Sequence, residues 1–214
     1  SRPGTAGTEE ISVNIDLNLE NFQDLYNFIK KEQIELVIVG PEKPLVEGLV
    51  DFLESKNIKV FGPRKKVAQL EGSKIFTKQI CEKFNIPTAK FKICKSKDDT
   101  FVFLSSSNYP LVVKADVLAA GKGVYICQNV DEAKTAVNEI FDGKFGKADQ
   151  VLIEEFLEGD EMSFFIISDG ISYKTFNTAQ DHKRVGEGYT GKNTGGMGAY
   201  SPTPLISKND LKKI

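Results

Sequence analysis

Lys114 closes the apolar run Leu111-Val112-Val113 and is followed, six residues on, by Ala120-Gly121-Lys122-Gly123-Val124. A lysine at a strand end, with a second lysine in the glycine-containing loop after it, can offset the charge of a polyphosphate. The glycines let backbone N–H groups approach the phosphate oxygens. The run is not the G-x-x-x-x-G-K-[ST] loop, because Asp116 stands at its first position, Gly123 at its last, and a strand rather than a helix follows. A β-loop-β flap fits instead; so does an ordinary surface lysine beside a turn. After one intervening helix, Val151-Leu152-Ile153-Glu154-Glu155-Phe156-Leu157-Glu158-Gly159-Asp160-Glu161 reads as a strand entering a short linker. Backbone groups of such a linker can meet the edge of a purine base, and a carboxylate a few residues later can take two ribose hydroxyls. The same glutamates also fit a solvated acidic run.

The third stretch begins at Gln180-Asp181-His182-Lys183-Arg184-Val185 and runs, rich in glycine, to Asn193-Thr194-Gly195-Gly196-Met197-Gly198-Ala199-Tyr200-Ser201-Pro202. Gly186, Gly188 and Gly191 match G-x-G-x-x-G, but the pattern opens no helix and lies outside any β-α-β unit, so it is no dinucleotide fingerprint. Composition of this kind, polar and without periodicity, reads as a mobile lid over an anionic intermediate or as a disordered surface loop. His182, the single histidine, sits between Asp and Lys and reads as exposed or orienting rather than as a metal ligand or general base.

Elements that would position these residues can be read from periodicity. Residues 11–15 read as a strand, 19–31 as a helix with Phe22, Leu25, Tyr26 and Ile29 on one face, and 35–39 as a strand covered on both faces. A helix beginning near Pro44 carries Val46, Leu49, Val50 and Leu53, and 58–61 returns as a strand, which argues for a parallel sheet. Residues 1–8 read as loop, with a first β-α unit expected but missing. Further on, Ser73 caps a helix with Phe76, Ile80 and Phe84 on one face; strands are expected at 89–94, 110–115, 124–127 and 150–156. Helices are expected at 97–104 and after Asn129, and a hairpin at 161–177 around the two-residue signal Asp169-Gly170. Residues 205–214 read as the start of a helix.

The chain has 214 residues, 28 Lys+Arg and 30 Asp+Glu, a balance that excludes the strongly basic footprint of a general nucleic-acid binder. Apolar runs such as 36–39 and 164–167 are too short to cross a bilayer, and no signal peptide opens the chain. Cys81, Cys94 and Cys127 form no CxxC pair and read as reduced thiols of a cytoplasmic protein.

Taken together, several runs resemble the ATP-grasp superfamily and, within it, the phosphoribosylamine–glycine ligase (glycinamide ribonucleotide synthetase) family. They are Val39-Gly40-Pro41-Glu42 with Pro44-Leu45-Val46, Phe61-Gly62-Pro63, and Ala68-Gln69-Leu70-Glu71-Gly72-Ser73-Lys74. The flap and linker runs above follow, then residues 180–186 and 193–202, the last being the most specific. The resemblance implies an α/β chain: a truncated parallel-sheet, Rossmann-like pre-ATP-grasp domain at 1–70 and an incomplete ATP-grasp domain of α+β type at 71–214. It implies ATP-dependent joining of glycine to 5-phosphoribosylamine through a glycyl phosphate, in purine biosynthesis. Phosphorylation gives the glycine carboxylate a good leaving group, and the site must exclude water from the acyl phosphate.

By the same resemblance Lys74, Lys114, Gly121, Lys122 and Gly123 hold ATP phosphates. Glu154, Glu155, Phe156 and Leu157 line the adenine, and Glu161 takes the ribose. Glu42 faces the phosphoribosylamine. Asp181 holds an amine and with Lys114 acts catalytically, while His182, Lys183, Asn193, Thr194, Gly195 and Gly196 complete the substrate side. The partners implied are small molecules, with neither nucleic acid nor membrane. Other ATP-grasp ligases, of the biotin-carboxylase or D-alanine-ligase kind, share the flap and linker but not residues 180–202; a non-catalytic nucleotide-binding module is the further alternative.

Val117 stands where relatives usually have Gly, and Lys192 where some have Pro. The family's N-terminal glycine-rich turn is missing, and so is the Glu-Phe-Asn segment carrying its Mg²⁺ or Mn²⁺ ligands, which is expected beyond residue 214. Without those carboxylates phosphoryl transfer should be slow. The 214-residue chain alone is therefore expected to be inactive. Robust Mg²⁺-dependent ADP release with glycine and phosphoribosylamine would overturn that expectation.

Overall fold

The computed structural model describes residues 4–118, 123–188, 190–207 and 209–211. They form two compact units that divide between Ile86 and Pro87.

The first unit runs α1 (Ala6–Glu9), α2 (Phe22–Lys31), β1 (Val37–Ile38), α3 (Glu42–Glu47), α4 (Leu49–Ser55), β2 (Val60–Phe61), α5 (Lys65–Gly72) and α6 (Lys74–Phe84). Asn21 starts α2 by accepting the N–H groups of Gln23 and Asp24 at 3.1 and 3.3 Å. The apolar face of α2 then buries Leu25 and Ile29. Strands β1 and β2 pair in parallel, Val37 with Val60 and Ile38 with Phe61. Val37, Val39 and Val60 face a core made by Leu25, Ile29, Leu45, Leu49, Val50, Leu53 and Ala68.

Four expectations fail in the stretch from α1 to α4. Residues 11–15 form no strand, and Ile11 and Val13 lie exposed; alternation without a sheet to join specifies nothing. A short α1, closed by a Thr5–Thr8 capping box, stands within the expected loop. The run 35–39 is covered on one face only, because Leu36, Ile38 and Phe61 on the other are 53%, 70% and 50% exposed. The helix expected from Pro44 onward breaks at Gly48, whose left-handed φ of 101° ends α3 and starts α4.

Helix α5 has no apolar stripe to announce it. Its first N–H, that of Lys65, is accepted at 2.7 Å by Asp51 of α4, a cap supplied from elsewhere in the chain. Ser73 does cap α6, accepting the Phe76 N–H at 3.0 Å. The buried positions of α6 are Ile75 and Lys78, however, and Phe84 is exposed.

In the second unit come β3 (Phe91–Cys94), α7 (Lys97–Ser105), β4 (Leu111–Ala115), β5 (Val124–Cys127), α8 (Val130–Phe141) and β6 (Val151–Glu155). The four strands form one antiparallel sheet in the order β3-β6-β4-β5. One face of it, with Cys94, Leu111, Val113, Ala115, Cys127, Val151 and Ile153, packs on Leu104 of α7 and on Ala133, Ala136, Val137 and Ile140 of α8. As the sequence pattern requires, Asn129 caps α8 by accepting from Asp131 and Glu132, and Glu132 reaches back to the Gln128 N–H at 2.9 Å.

The rest of this unit is β7 (Ile166–Ser168), β8 (Tyr173–Thr175), β9 (Gln180–Asp181), β10 (Arg184–Gly186), β11 (Thr190–Asn193) and β12 (Ala199–Tyr200). β7 and β8 form the expected hairpin, but its loop is Asp169–Ser172 rather than two residues. Asp169 bends that loop by accepting the N–H groups of Ile171 and Ser172, bonds that also hold its carboxyl below the usual range. Residues 178–200 are not structureless: β9 pairs with β12, and β10 with β11. The start of a helix expected at 205 amounts, among the described residues, to a turn closed by bonds from Asp210 and Leu211 to the Ser207 carbonyl. No helix of the described residues is long and apolar enough to cross a membrane.

All three cysteines are free, with Cys94 and Cys127 buried and Cys81 partly exposed. Burial pushes the Cys127 thiol up to about 11 and raises that of Cys94 as well. At pH 8 roughly a thousandth of Cys127 would be thiolate. A thiol reagent such as 5,5′-dithiobis(2-nitrobenzoate) should therefore modify one cysteine quickly in the native chain and all three in guanidinium. Two or more fast native thiols would contradict this burial.

Candidate functional site

Register places the central pair. Lys114 of β4 lies opposite Leu152 of β6, and Glu154 opposite Val112. Lys114 and Glu154 are thus diagonal neighbours on one face, within reach of long side chains. Neighbouring Val113 and Ile153 point the other way, into the helix-covered core. The Lys114 ammonium meets Glu154 Oε2 at 2.8 Å, with the two side chains 25% and 6% exposed. The chain leaves β4 one residue after this lysine, at Ala115. The far end of the flap is tied back by a 2.8 Å bond from the Ala115 N–H to the carbonyl of buried Gly123. Gly121 and Lys122 lie outside the described residues.

Glu155 behaves differently from Glu154. Its carboxylate accepts the Lys90 N–H at 2.8 Å, while its own N–H donates to the Lys90 carbonyl at 3.0 Å, closing the end of the β3–β6 pair. Phe156 and Leu157 follow outside any strand, with Leu157 exposed. Glu161 is also exposed and ion-paired with Lys183.

The substrate-side residues gather on the two small antiparallel pairs. Asp181 on β9 lies opposite Ala199 of β12. The His182 N–H donates to the Gly198 carbonyl at 2.9 Å, and its ring lies 5.7 Å from that of Tyr200. The Lys183 carbonyl accepts from both the N–H and the hydroxyl of Thr194, at 2.7 and 2.9 Å. The Thr194 hydroxyl in turn accepts the Gly196 N–H at 3.0 Å. Asn193 sits in β11 opposite Arg184, and Gly195 follows just outside the strand. The three glycines of the G-x-G-x-x-G pattern fall in the β10–β11 hairpin. There Gly191 has φ +82°, and a Cβ on it would meet Val185 Cγ1 at 2.9 Å.

Lys74 and Glu42 belong to the first unit, as the first residues of α6 and α3, with Glu42 exposed. Among the described residues no group of three His, Cys, Asp or Glu is placed to hold a metal ion. A cavity of about 400 Å³ opens between β5 and α8, lined by Tyr125, Ile126, Cys127, Asp131, Glu132, Thr135, Ala136 and Glu139. None of the residues expected to bind nucleotide or substrate lines it. Two pairings were missed in the sequence, Lys114 with Glu154 and Lys183 with Glu161. The first could have been found by aligning two alternating strands; the second joins segments with no common periodicity.

Comparison with known proteins adds family and fold. Residues 72–214 match the family model "Phosphoribosylglycinamide synthetase, ATP-grasp (A) domain", and residues 1–71 match "Phosphoribosylglycinamide synthetase, N domain". A phosphoribosylamine–glycine ligase of Rhizobium meliloti is 47% identical over 212 residues, covering 99% of this chain and 50% of the relative. The crystal structure of phosphoribosylamine–glycine ligase from Thermotoga maritima superposes with a TM-score of 0.79 at 30% identity, over 99% of this chain and 51% of that one. The biotin carboxylase domain of Hydrogenobacter thermophilus 2-oxoglutarate carboxylase shares the fold, with a TM-score of 0.64 at 23% identity over 81% of this chain and 41% of that one. The chain spans about half the length of the curated relatives it matches.

A carboxylate as buried as Glu154 contributes mainly by holding Lys114. Glu154→Gln should lower stability to chemical denaturation by about 2 kcal/mol, the loss expected for a charge pair that solvent still reaches on the lysine side. A midpoint unchanged in urea would show that the pair carries no such weight.

Proposed function

The chain belongs to the phosphoribosylglycinamide synthetase family, and on that footing we propose that it provides the nucleotide-binding part of an ATP-dependent carboxylate–amine ligase. The reaction is the joining of glycine to 5-phosphoribosylamine, giving glycinamide ribonucleotide, ADP and phosphate. Magnesium or manganese accompanies the nucleotide. Three free thiols suit a reducing, cytoplasmic setting.

The observation that carries this reading is the placement of Lys114. It is the last residue but one of β4, near the root of the flap, is aimed by a carboxylate 2.8 Å away, and is still 25% exposed. One N–H of the ammonium goes to Glu154, so others can meet a phosphate oxygen. The Glu154 charge keeps the ammonium on the sheet face instead of in open water. The linker after β6 offers backbone groups at Phe156 and Leu157 for adenine, and Glu161 for the ribose. The flap adds positive charge along the triphosphate. On the second-substrate side Asp181 holds the amine of phosphoribosylamine, with His182 and the Asn193–Gly196 segment around the anion. Closure of residues 183–201 would exclude water from the acyl phosphate.

Titration calorimetry of the 214-residue chain tests the assignment. ATP should bind more tightly than adenosine. Lys114→Met should weaken ATP about 10- to 100-fold, the worth of a charge-assisted bond to phosphate, while leaving adenosine nearly unchanged. Circular dichroism should show the variant folded. Equal affinity for ATP and adenosine, indifferent to Lys114, would sink the proposal.

A further inference from the structure

The ion pair between Glu161 and Lys183 joins the nucleotide side of the proposed site to its substrate side. Ser163 and Ala179 exchange both backbone bonds, at 2.7 and 2.9 Å, as an antiparallel bridge. Glu161 lies two residues before that bridge and Asp181 two residues after it. Their like charges repel. Lys183 relieves the repulsion, since its ammonium is bonded to Glu161 and lies 3.9 Å from Asp181 Oδ2. Its backbone is held by Thr194. The stem can therefore swing while its base stays in place.

We propose that Lys183 is a positioning residue that couples nucleotide to second substrate by competing with the ribose for Glu161. This rests on the reading above, in which Glu161 takes the ribose and Asp181 the amine. An ammonium and a ribose diol ask for the same carboxylate. When the hydroxyls take it, the ammonium is released toward Asp181 and toward the anionic group of the second substrate. Nucleotide binding thus builds the cationic half of the substrate site, and by linkage the second substrate favours nucleotide to the same degree. Without nucleotide, Lys183 stays on Glu161.

Calorimetric titration of the chain with ATP and with 2′,3′-dideoxy-ATP, which lacks both ribose hydroxyls, tests this. Removing the competitor by Lys183→Met should tighten ATP about 3- to 5-fold, the range for a solvent-exposed ion pair, and leave dideoxy-ATP unchanged. Glu161→Gln should bring ATP down to the dideoxy-ATP affinity and abolish the effect of Lys183→Met, as a double-mutant cycle requires. Lys183→Arg, which keeps the charge, should behave as wild type. If Lys183→Met weakens ATP, or changes both nucleotides equally, Lys183 acts only as a general positive charge and the inference fails while the nucleotide reading stands. If wild-type chain binds neither nucleotide, both fail together.

Discussion

An ammonium held 2.8 Å from a carboxylate that is only 6% exposed is the constraint around which the second unit is built. Burying one charge without the other would cost several kcal/mol, so sheet register, strand ends and flap must all keep the partners together. The helices α7 and α8 dry one face of the sheet with Leu104, Ala133, Ala136, Val137 and Ile140. Alternation then sends Lys114 and Glu154 to the other face. A slip of one residue between β4 and β6 would put Lys114 and Glu154 on opposite faces, one of them in the apolar layer, so the core packing that specifies the register also keeps the pair together.

The segment from Ser163 to Tyr200 is held by different means. Its described residues form no large core; they make short strand pairs closed by backbone and hydroxyl bonds, from Ser163–Ala179 through Thr194 to Lys183. Glycine is needed where the chain must turn tightly, as at Gly191 against Val185. Charge then links the pairs. Few apolar contacts and many exposed polar bonds are what a segment needs if it is to be ordered in one state and rearranged in another.

The extent to which the structure was legible follows the range of the interactions. Asn129 and Ser73 announced α8 and α6 because a cap is made within three residues. The sheet of the second unit was legible because its central strands are short apolar runs, buried nearly throughout. Helix α5 was not, since its cap, Asp51, lies on another helix. The break at Gly48 was passed over because the apolar stripe continues through it. Residues 178–200 gave no periodicity because their strands are two to four residues long and little is buried between them.

Within this chain the sequence by itself determined the family, the core positions of the second unit, and the residue types able to meet phosphate, base and ribose. Local order and composition carry that information, because caps, alternation and motif runs are written in neighbouring residues. The tertiary structure alone decided which charges are partners. Glu154 turns to Lys114, Glu155 to the Lys90 backbone, and Glu161 to Lys183. Three carboxylates of one acidic run receive three fates because strand pairing, which brings distant residues within a few ångströms, chooses what each one faces.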